Sequence, residues 1–446
     1  MSFLSKQWAG VWCSSSVLDF DEGGYDESFD CRDNLGDRHR KFINNILKRY
    51  LKFCGHDKQK KLRLDKLRLH MTGYLLTEDT TIVVELLSCS FERNVKELDI
   101  NLRPCRLFQR NWHEKKNYYC LSRTTFLDAK SITTLCLSYV RIKDIRNAND
   151  GPMDHISQLL PSLKRMCLKT VHFDKHALRY LICECPCIEY LSLTSCSFDD
   201  DREDALSMFY LSSYSLKFLE VKYCKATDIR VDETINLESF TFVSSKFLPV
   251  DNIILRNSHN LKHINIHAHY LEKLYVFESD RSLEATINTP NLNSVHFIGY
   301  LTSKISLKAP NLCKATILLW DFWDVQFPTA FNGAWKHLPV LARFLKEFGR
   351  SKNLDLIVAD FKNVIFPTEF RSTSSCAILP GLNNNIALRV SNYLETDSDI
   401  SELEDSLTWI APSARISWGM PVVLDTKLSL SSPKVTLGSP SVPFEV

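Results

Sequence analysis

One hydrophobic phrase recurs along the chain: an apolar residue, two others, an apolar residue, one other, an apolar residue. It reads Val95-KE-Leu98-D-Ile100, Ile132-TT-Leu135-C-Leu137, Leu163-KR-Met166-C-Leu168, Ile188-EY-Leu191-S-Leu193 and Leu216-KF-Leu219-E-Val221. It continues as Leu237-ES-Phe240-T-Phe242, Leu261-KH-Ile264-N-Ile266, Leu271-EK-Leu274-Y-Val276, Leu292-NS-Val295-H-Phe297 and, with a weaker centre, Leu312-CK-Ala315-T-Ile317. The last three residues of each phrase alternate, so they form a short strand with one apolar and one polar face.

Successive copies mostly begin about 20 to 31 residues apart, the length of a leucine-rich repeat with its LxxLxL strand. No single repeat can bury its own apolar face, so the copies must stack into a solenoid. The expected fold is α/β, with parallel strands on the concave face and irregular helices and turns on the convex face. Pro-containing leads precede several strands (Leu160-Pro161, Cys185-Pro186, Thr289-Pro290, Ala309-Pro310) and suit a chain entering extended structure from a turn. Leu261 and Leu271 are too close for a strand plus a helix. The returning segments there are expected to be extended or tight turns.

Helical spacing appears where the phrase does not. Residues 37–53 place Phe42, Ile43, Ile46, Leu47, Tyr50 and Leu51 on one stripe, and residues 335–348 do the same with Leu338, Leu341, Phe344, Leu345 and Phe348. Leu4, Trp8 and Trp12 fall at i, i+4 and i+8, a stripe that needs a partner surface. The acidic, glycine-bearing FDEGGYDESFDCRDNLG reads as a linker, and the Ser/Pro-rich end as a fraying tail. The resulting division is a terminal helix segment at 1–19, a linker at 20–36, a helical cap at 37–60, a solenoid at 61–411 and a tail at 412–446.

Length fits this architecture. A chain of 446 residues exceeds the roughly 250–300 residues at which a single core stops growing, whereas a repeat array has no such limit. The net charge of +2 supplies no global field for nucleic acid or acidic membranes. The 15 cysteines are an odd number and mostly scattered. There is no Asn-X-Ser/Thr acceptor, no apolar run long enough to span a bilayer and no signal-peptide layout. These features point to a reducing compartment, cytoplasmic or nuclear, with cysteines acting as small hydrophobes.

Candidate chemistry thins out under inspection. His259, His263, His267 and His269 suggest a metal, but strand residues four apart are separated by about 13 Å, too far for two ligands of one ion. Cys183, Cys185 and Cys187 lack the second pair that a structural zinc site needs, and read as turn and core fillers. The basic run from Lys58 to His70 alternates leucine with charge, as a strand with one wet face does. The acidic run from Asp199 suits a loop entering a helix. No GxSxG, HExxH, Walker loop or Gly-rich dinucleotide turn is present. No enzymatic activity, cofactor or metal is expected, and neither nucleic acid nor membrane is an expected partner.

What remains is the polar face of the strands. The alternation turns outward Tyr190, Ser192 and Thr194; Phe218, Glu220 and Lys222; Ser239 and Thr241; His263, Asn265 and His267; Lys273, Tyr275 and Phe277; Ser294, His296 and Ile298. Trp320 and Trp323 follow the last strand. Aromatic anchors with a polar rim characterise protein-binding patches. The expected target-binding residues are therefore Tyr190, Phe218, Glu220, His263, His267, Tyr275, Phe277, His296, Trp320 and Trp323.

Several stretches resemble the plant F-box/LRR proteins. LSKQW at residues 4–8, Trp12 and LDFDE at residues 18–22 are similar to the end of that family's F-box and the stretch after it, although Gln7 stands where Arg is usual. NVKELDINL from Asn94, YYCL from Tyr118, IEYLSLTSCSF from Ile188, LKFLEV from Leu216 and DSLTWIAP from Asp405 resemble its later segments. The resemblance covers roughly residues 3–412 and implies an F-box truncated at its N-terminus, whose last helix carries Leu4, Trp8 and Trp12. It also implies a substrate receptor of an SCF-type ubiquitin ligase. Such a receptor holds an unknown target protein on the concave face and docks a Skp-type adaptor through the F-box. Two other readings stay open: a repeat protein without ligase docking (a decoy, pseudogene product or incomplete gene model), and a small-ligand-sensing receptor.

Overall fold

When apolar residues occupy every second position of a strand, only one register buries them all, because a slip of one residue turns the whole set outward. That constraint organises the chain into parallel rungs. The computed structural model describes residues 15–23, 35–56, 63–72, 77–103, 118–121, 123–143, 159–174, 177–198, 208–244, 247–277, 280–319, 337–358, 361–373, 378–379, 382, 385–390 and 397–419. It contains two compact units, Met1–Ala315 and Thr316–Val446.

The first unit is a leucine-rich-repeat solenoid built on an eleven-stranded sheet. Its rungs, in order, are Val17–Asp21, Lys66–Thr72, Glu97–Arg103, Thr134–Ser138, Arg165–Lys169, Tyr190–Thr194, Phe218–Lys222, Ser239–Val243, His263–His267, Glu284–Asn288 and Lys304–Lys308. Every neighbouring pair is parallel and in register. The inward pairs Leu98/Ile100, Leu135/Leu137, Met166/Leu168, Leu191/Leu193, Leu219/Val221, Phe240/Phe242 and Ile264/Ile266 are all buried. They are the leucine positions of the recurring phrase.

The return path changes along the unit. In its first half it carries helices and a four-stranded sheet of short strands, Tyr119–Leu121, Val140–Ile142, His172–Phe173 and Ser197–Phe198. Helix Thr77–Glu92 buries Ile82, Val83, Leu86, Leu87, Ser90 and Phe91, one face of its cylinder. From Met208 onward the return path is itself extended. Met208–Leu211, Asp228–Val231, Val250–Leu255, Leu271–Phe277 and Ser294–Gly299 form a second parallel sheet, also in register. Each coil there has one strand in each sheet.

This arrangement explains the short gap between Leu261 and Leu271. The two phrases are not neighbouring rungs; the chain has crossed from the first sheet to the second within one coil. The copies at Leu271 and Leu292 belong to the second sheet. The rungs Glu284–Asn288 and Lys304–Lys308 continue the first sheet, with Ala285/Ile287 and Ile305/Leu307 at the inward positions. Ala285 breaks the LxxLxL phrase, so pattern alone passes over that rung.

The N-terminal boundaries also differ from those read from composition. Val17–Asp21 is the first rung, with Leu18 and Phe20 buried. Residues 20 and 21 therefore belong to a strand rather than a linker. The helical run Leu35–His56, which includes a π-helical segment at Ile43–Leu47, lies between the first two rungs in the chain. Tyr50 meets Phe20 edge-on at 5.2 Å and its hydroxyl accepts a hydrogen bond from Arg93 at 3.0 Å. Two inward residues flanked by carboxylates are too short a signal to reveal a rung.

Turns are stapled from coil to coil. Tyr139, Thr170, Ser195 and Tyr223 follow successive rungs and adopt left-handed backbone conformations, with φ from 53° to 58°. Their N–H groups donate to the next rung at Lys169, Thr194, Lys222 and Val243. On the other side of the strands, Asn236 Nδ2 donates to the Tyr214 carbonyl at 2.6 Å, and Asn291 Nδ2 to that of His269 at 3.0 Å. Cys196 and Cys224 fill the buried turn position that Val140 and Val171 occupy in earlier coils. Their thiols approach the carbonyls of Leu168 and Leu193 at 3.5 and 3.7 Å. This is a packing role, as expected for such cysteines.

The second unit contains three further parallel strands, Asn353–Val358, Asn385–Val390 and Arg415–Gly419. Helix Leu338–Lys346 buries Leu338, Leu341, Phe344 and Leu345, matching the predicted stripe. Helix Asp397–Ile410 is fixed by Ser406, whose hydroxyl accepts from the Phe366 amide at 2.9 Å, and by Trp409 against the Phe366 ring at 5.2 Å.

The alternation predicts opposite consequences for adjacent residues. Phe240→Ala should cost about 3–5 kcal/mol of stability, and Thr241→Ala no more than about 0.5 kcal/mol. Urea unfolding of both variants checks this; equal losses would contradict the register.

Candidate functional site

Alternate residues of the eleven-stranded sheet point away from the core, and register aligns them into three rows. One row contains Arg165, Tyr190, Phe218, Ser239, His263, Glu284 and Lys304. Beside it run Cys167, Ser192, Glu220, Thr241, Asn265, Thr286 and Ser306. The third row contains Lys169, Thr194, Lys222, Val243, His267, Asn288 and Lys308. Adjacent members of a row sit about 4.8 Å apart, the spacing of paired strands.

The first rungs carry a network of charges that satisfy one another. Arg68 bridges Asp19 and Asp21, each at 3.1 Å, and His70 meets Asp99 at 3.3 Å. Hydrogen bonding to Asp19 raises the Arg68 pKa. At the far end Lys304 pairs with Glu284 at 2.7 Å.

Between these ends the face changes character. The Arg165 guanidinium lies 4.4 Å from the centre of the Tyr190 ring, a cation–π contact. Phe218, on the next rung, is 42% exposed. Ser239 and Thr241 follow as small neighbours, so the two aromatics form a step above a shallow floor. The central charges pair with each other: Glu220 and Lys222 are 2.8 Å apart, and Ser192 donates to Glu220 at 3.3 Å. Burial disfavours the Glu220 carboxylate, but Lys222, Tyr190 and Ser192 outweigh it and hold its pKa below the ordinary value. His263 and His267 are exposed on the following strand.

The expected binding residues divide into separate groups. Tyr190, Phe218, Glu220, His263 and His267 share the face just described. Tyr275, Phe277 and His296 do not, because their strands belong to the second sheet. There Tyr275 stacks on His296 at 4.7 Å and 14°, and on Phe277 at 6.1 Å and 17°. These rings are half-buried and form a separate aromatic stripe on the other side of the core. Leu4, Trp8, Trp12, Trp320 and Trp323 lie outside the described residues.

Pattern reading missed Arg165, which sits outward at the first position of its strand, and the outward residues of the rungs at 284–288 and 304–308. The alternation in LEATIN from Leu283 was the available signal. Among the described residues, no group of three or more His, Cys, Asp or Glu side chains is placed to hold a metal ion. No described helix is long and apolar enough to cross a membrane.

Residues 83–266 match the family described as FBD-associated F-box protein At5g56370, LRR repeats. The match runs from within helix Thr77–Glu92 to the rung His263–His267, and so includes the aromatic step. It supports an F-box/LRR family for this chain, in which the repeats are an interaction module. Among curated proteins none matches the chain.

Lys222 contributes most to lowering the Glu220 pKa. Lys222→Met should therefore move the Glu220 titration upward, since burial remains while the cation is lost. In the unsubstituted protein the pair's contribution is present at neutral pH and lost as pH falls through the depressed carboxylate pKa. Carboxyl-carbon NMR titration checks this; an unmoved Glu220 would contradict the pairing.

Proposed function

We propose that this chain is a non-enzymatic substrate receptor of an SCF-type ubiquitin ligase, acting in the cytoplasm or nucleus. It holds its target protein on the outward face of the eleven-stranded sheet. The observation that carries the reading is the aromatic step of Tyr190 and Phe218, set among small neutral side chains and the Glu220–Lys222 pair, with the Arg165 guanidinium against the Tyr190 ring. Desolvating a paired or neutral surface costs less than stripping water from lone charges. Two rings on adjacent rungs supply anchors of the kind that dominate protein interfaces. Arg165 and Lys169 border the step on one side, and cations at that border steer acidic segments of a target toward it.

The match to F-box-associated repeats supports the ligase half of the reading. LSKQW and Trp12 supply the candidate contact with a Skp-type adaptor, through Leu4, Trp8 and Trp12. The aromatic stripe of Tyr275, Phe277 and His296 faces away from the step and is assigned no part in holding the target.

Quantitative affinity capture from plant cell extract separates the two roles. Tyr190→Ala with Phe218→Asp should lower recovery of the captured target at least about tenfold, equivalent to about 1.4 kcal/mol, while leaving adaptor recovery unchanged. Trp8→Ala with Trp12→Ala should do the reverse. Target recovery that is insensitive to the first pair but lost with Tyr275→Ala would place recognition on the other sheet. Absence of adaptor from every capture would remove the ligase role.

A further inference from the structure

Two cysteines on the open face have no part in the proposed recognition. Cys136 and Cys167 occupy directly paired positions on neighbouring parallel strands, between Asp99 on one side and Ser192 on the other. Both point outward, because their flanking residues Leu135, Leu137, Met166 and Leu168 fill the core. Both are partly exposed, and neither is in a disulfide. The other in-register pair, Cys196 and Cys224, is buried, and both its thiols contact backbone carbonyls. One pair is thus packed away and the other is open to solvent.

We propose that Cys136 and Cys167 form a cross-strand dithiol site that hydrogen peroxide oxidises to a reversible disulfide. Paired strands lie about 4.7–4.9 Å apart, within the roughly 4.4–6.8 Å Cα separation that a disulfide accepts. Parallel strands send both Cβ atoms in the same direction, so the Cβ separation stays near the strand spacing. That is slightly above the roughly 3.5–4.5 Å a disulfide prefers. Closure requires the two rungs to pinch by a few tenths of an ångström, and a bond held under such tension is readily reduced.

The surroundings also divide the labour between the two sulfurs. A hydrogen bond from Cys136 stabilises the Cys167 thiolate against the opposing effect of burial, and the nearby Arg165 adds to it, lowering the Cys167 pKa to about 7. Glu220 and Asp99, each two rungs from Cys167 on opposite sides, oppose this. Cys136 moves in the opposite direction: as the donor in that hydrogen bond it retains its proton, and burial and Asp99 reinforce this, while Lys66 weakly opposes it. Arg165 lies two residues before Cys167 on the same outward strand face and favours a thiolate there, which assigns the attack to Cys167.

The chemistry balances without any further component. The Cys167 thiolate attacks one peroxide oxygen, the O–O bond breaks, and the departing hydroxide takes up the proton that Cys167 has released. This leaves a sulfenic acid and one water. The Cys136 sulfur then attacks the sulfenic sulfur, the S–O bond breaks, and the hydroxyl leaves with the Cys136 proton as a second water. Two thiols lose two electrons, and the peroxide is reduced to two waters.

The test uses the full chain treated with hydrogen peroxide, followed by iodoacetamide and non-reducing peptide mapping. The expected result is a linked pair of peptides containing Cys136 and Cys167, formed while Cys196 and Cys224 remain reduced and reversed by dithiothreitol. In Cys136→Ser the sulfenic acid on Cys167 should persist and be trapped by dimedone. In Cys167→Ser, Cys136 should remain a thiol at the same peroxide concentration. The proposal is overturned if both thiols survive peroxide in the unsubstituted chain, or if Cys167 is trapped by dimedone there without linking to Cys136. It is equally overturned if Cys196 and Cys224 link first.

Discussion

Everything distinctive about this molecule follows from parallel pairing in strict register. Each rung buries two alternate side chains and exposes those between them, and each exposed side chain stands about 4.8 Å from its counterpart on the next rung. The register holds because the inward positions are filled without interruption from Leu98/Ile100 to Ile264/Ile266. A slip at any rung would place leucines in water and carboxylates or lysines in the core. The open face is therefore a direct consequence of the buried one.

That relation explains why the fold could be read from the sequence and where the reading failed. The LxxLxL phrase reports the inward residues, so it identified the strands of the central coils and their parallel stacking. It carries no information about which sheet a strand joins. The phrases at Leu261 and Leu271 are the same but lead into strands of different sheets, because the return path from Met208 onward is extended rather than helical. The ten-residue gap was the only trace of this change. Substitution at the inward positions hides a rung in the same way: Ala285 obscured Glu284–Asn288, and two inward residues were too few to reveal Val17–Asp21.

The candidate site was legible to the same degree. Tyr190, Phe218, Glu220, His263 and His267 share one face because their phrases belong to one sheet. Tyr275, Phe277 and His296 were grouped with them by alternation, although they form a separate stack on the second sheet. Pairing across rungs, which alternation cannot show, decides the chemistry. It sets the Arg165 guanidinium over the Tyr190 ring, places Ser192 against Glu220, and brings Cys136 beside Cys167.

The central claim is that coils after Met208 place one strand in each of two sheets, and that this separates the aromatic step from the second aromatic stripe. Spin labels introduced by an encoded amino acid at Thr241 and Lys273 test it most directly, through the dipolar distance between them. Two outward residues on sheets about 10 Å apart should give a separation beyond about 20 Å once both side chains are included. A separation near about 10 Å, as for two rungs of a single sheet, would contradict the account and return all the aromatics to one surface.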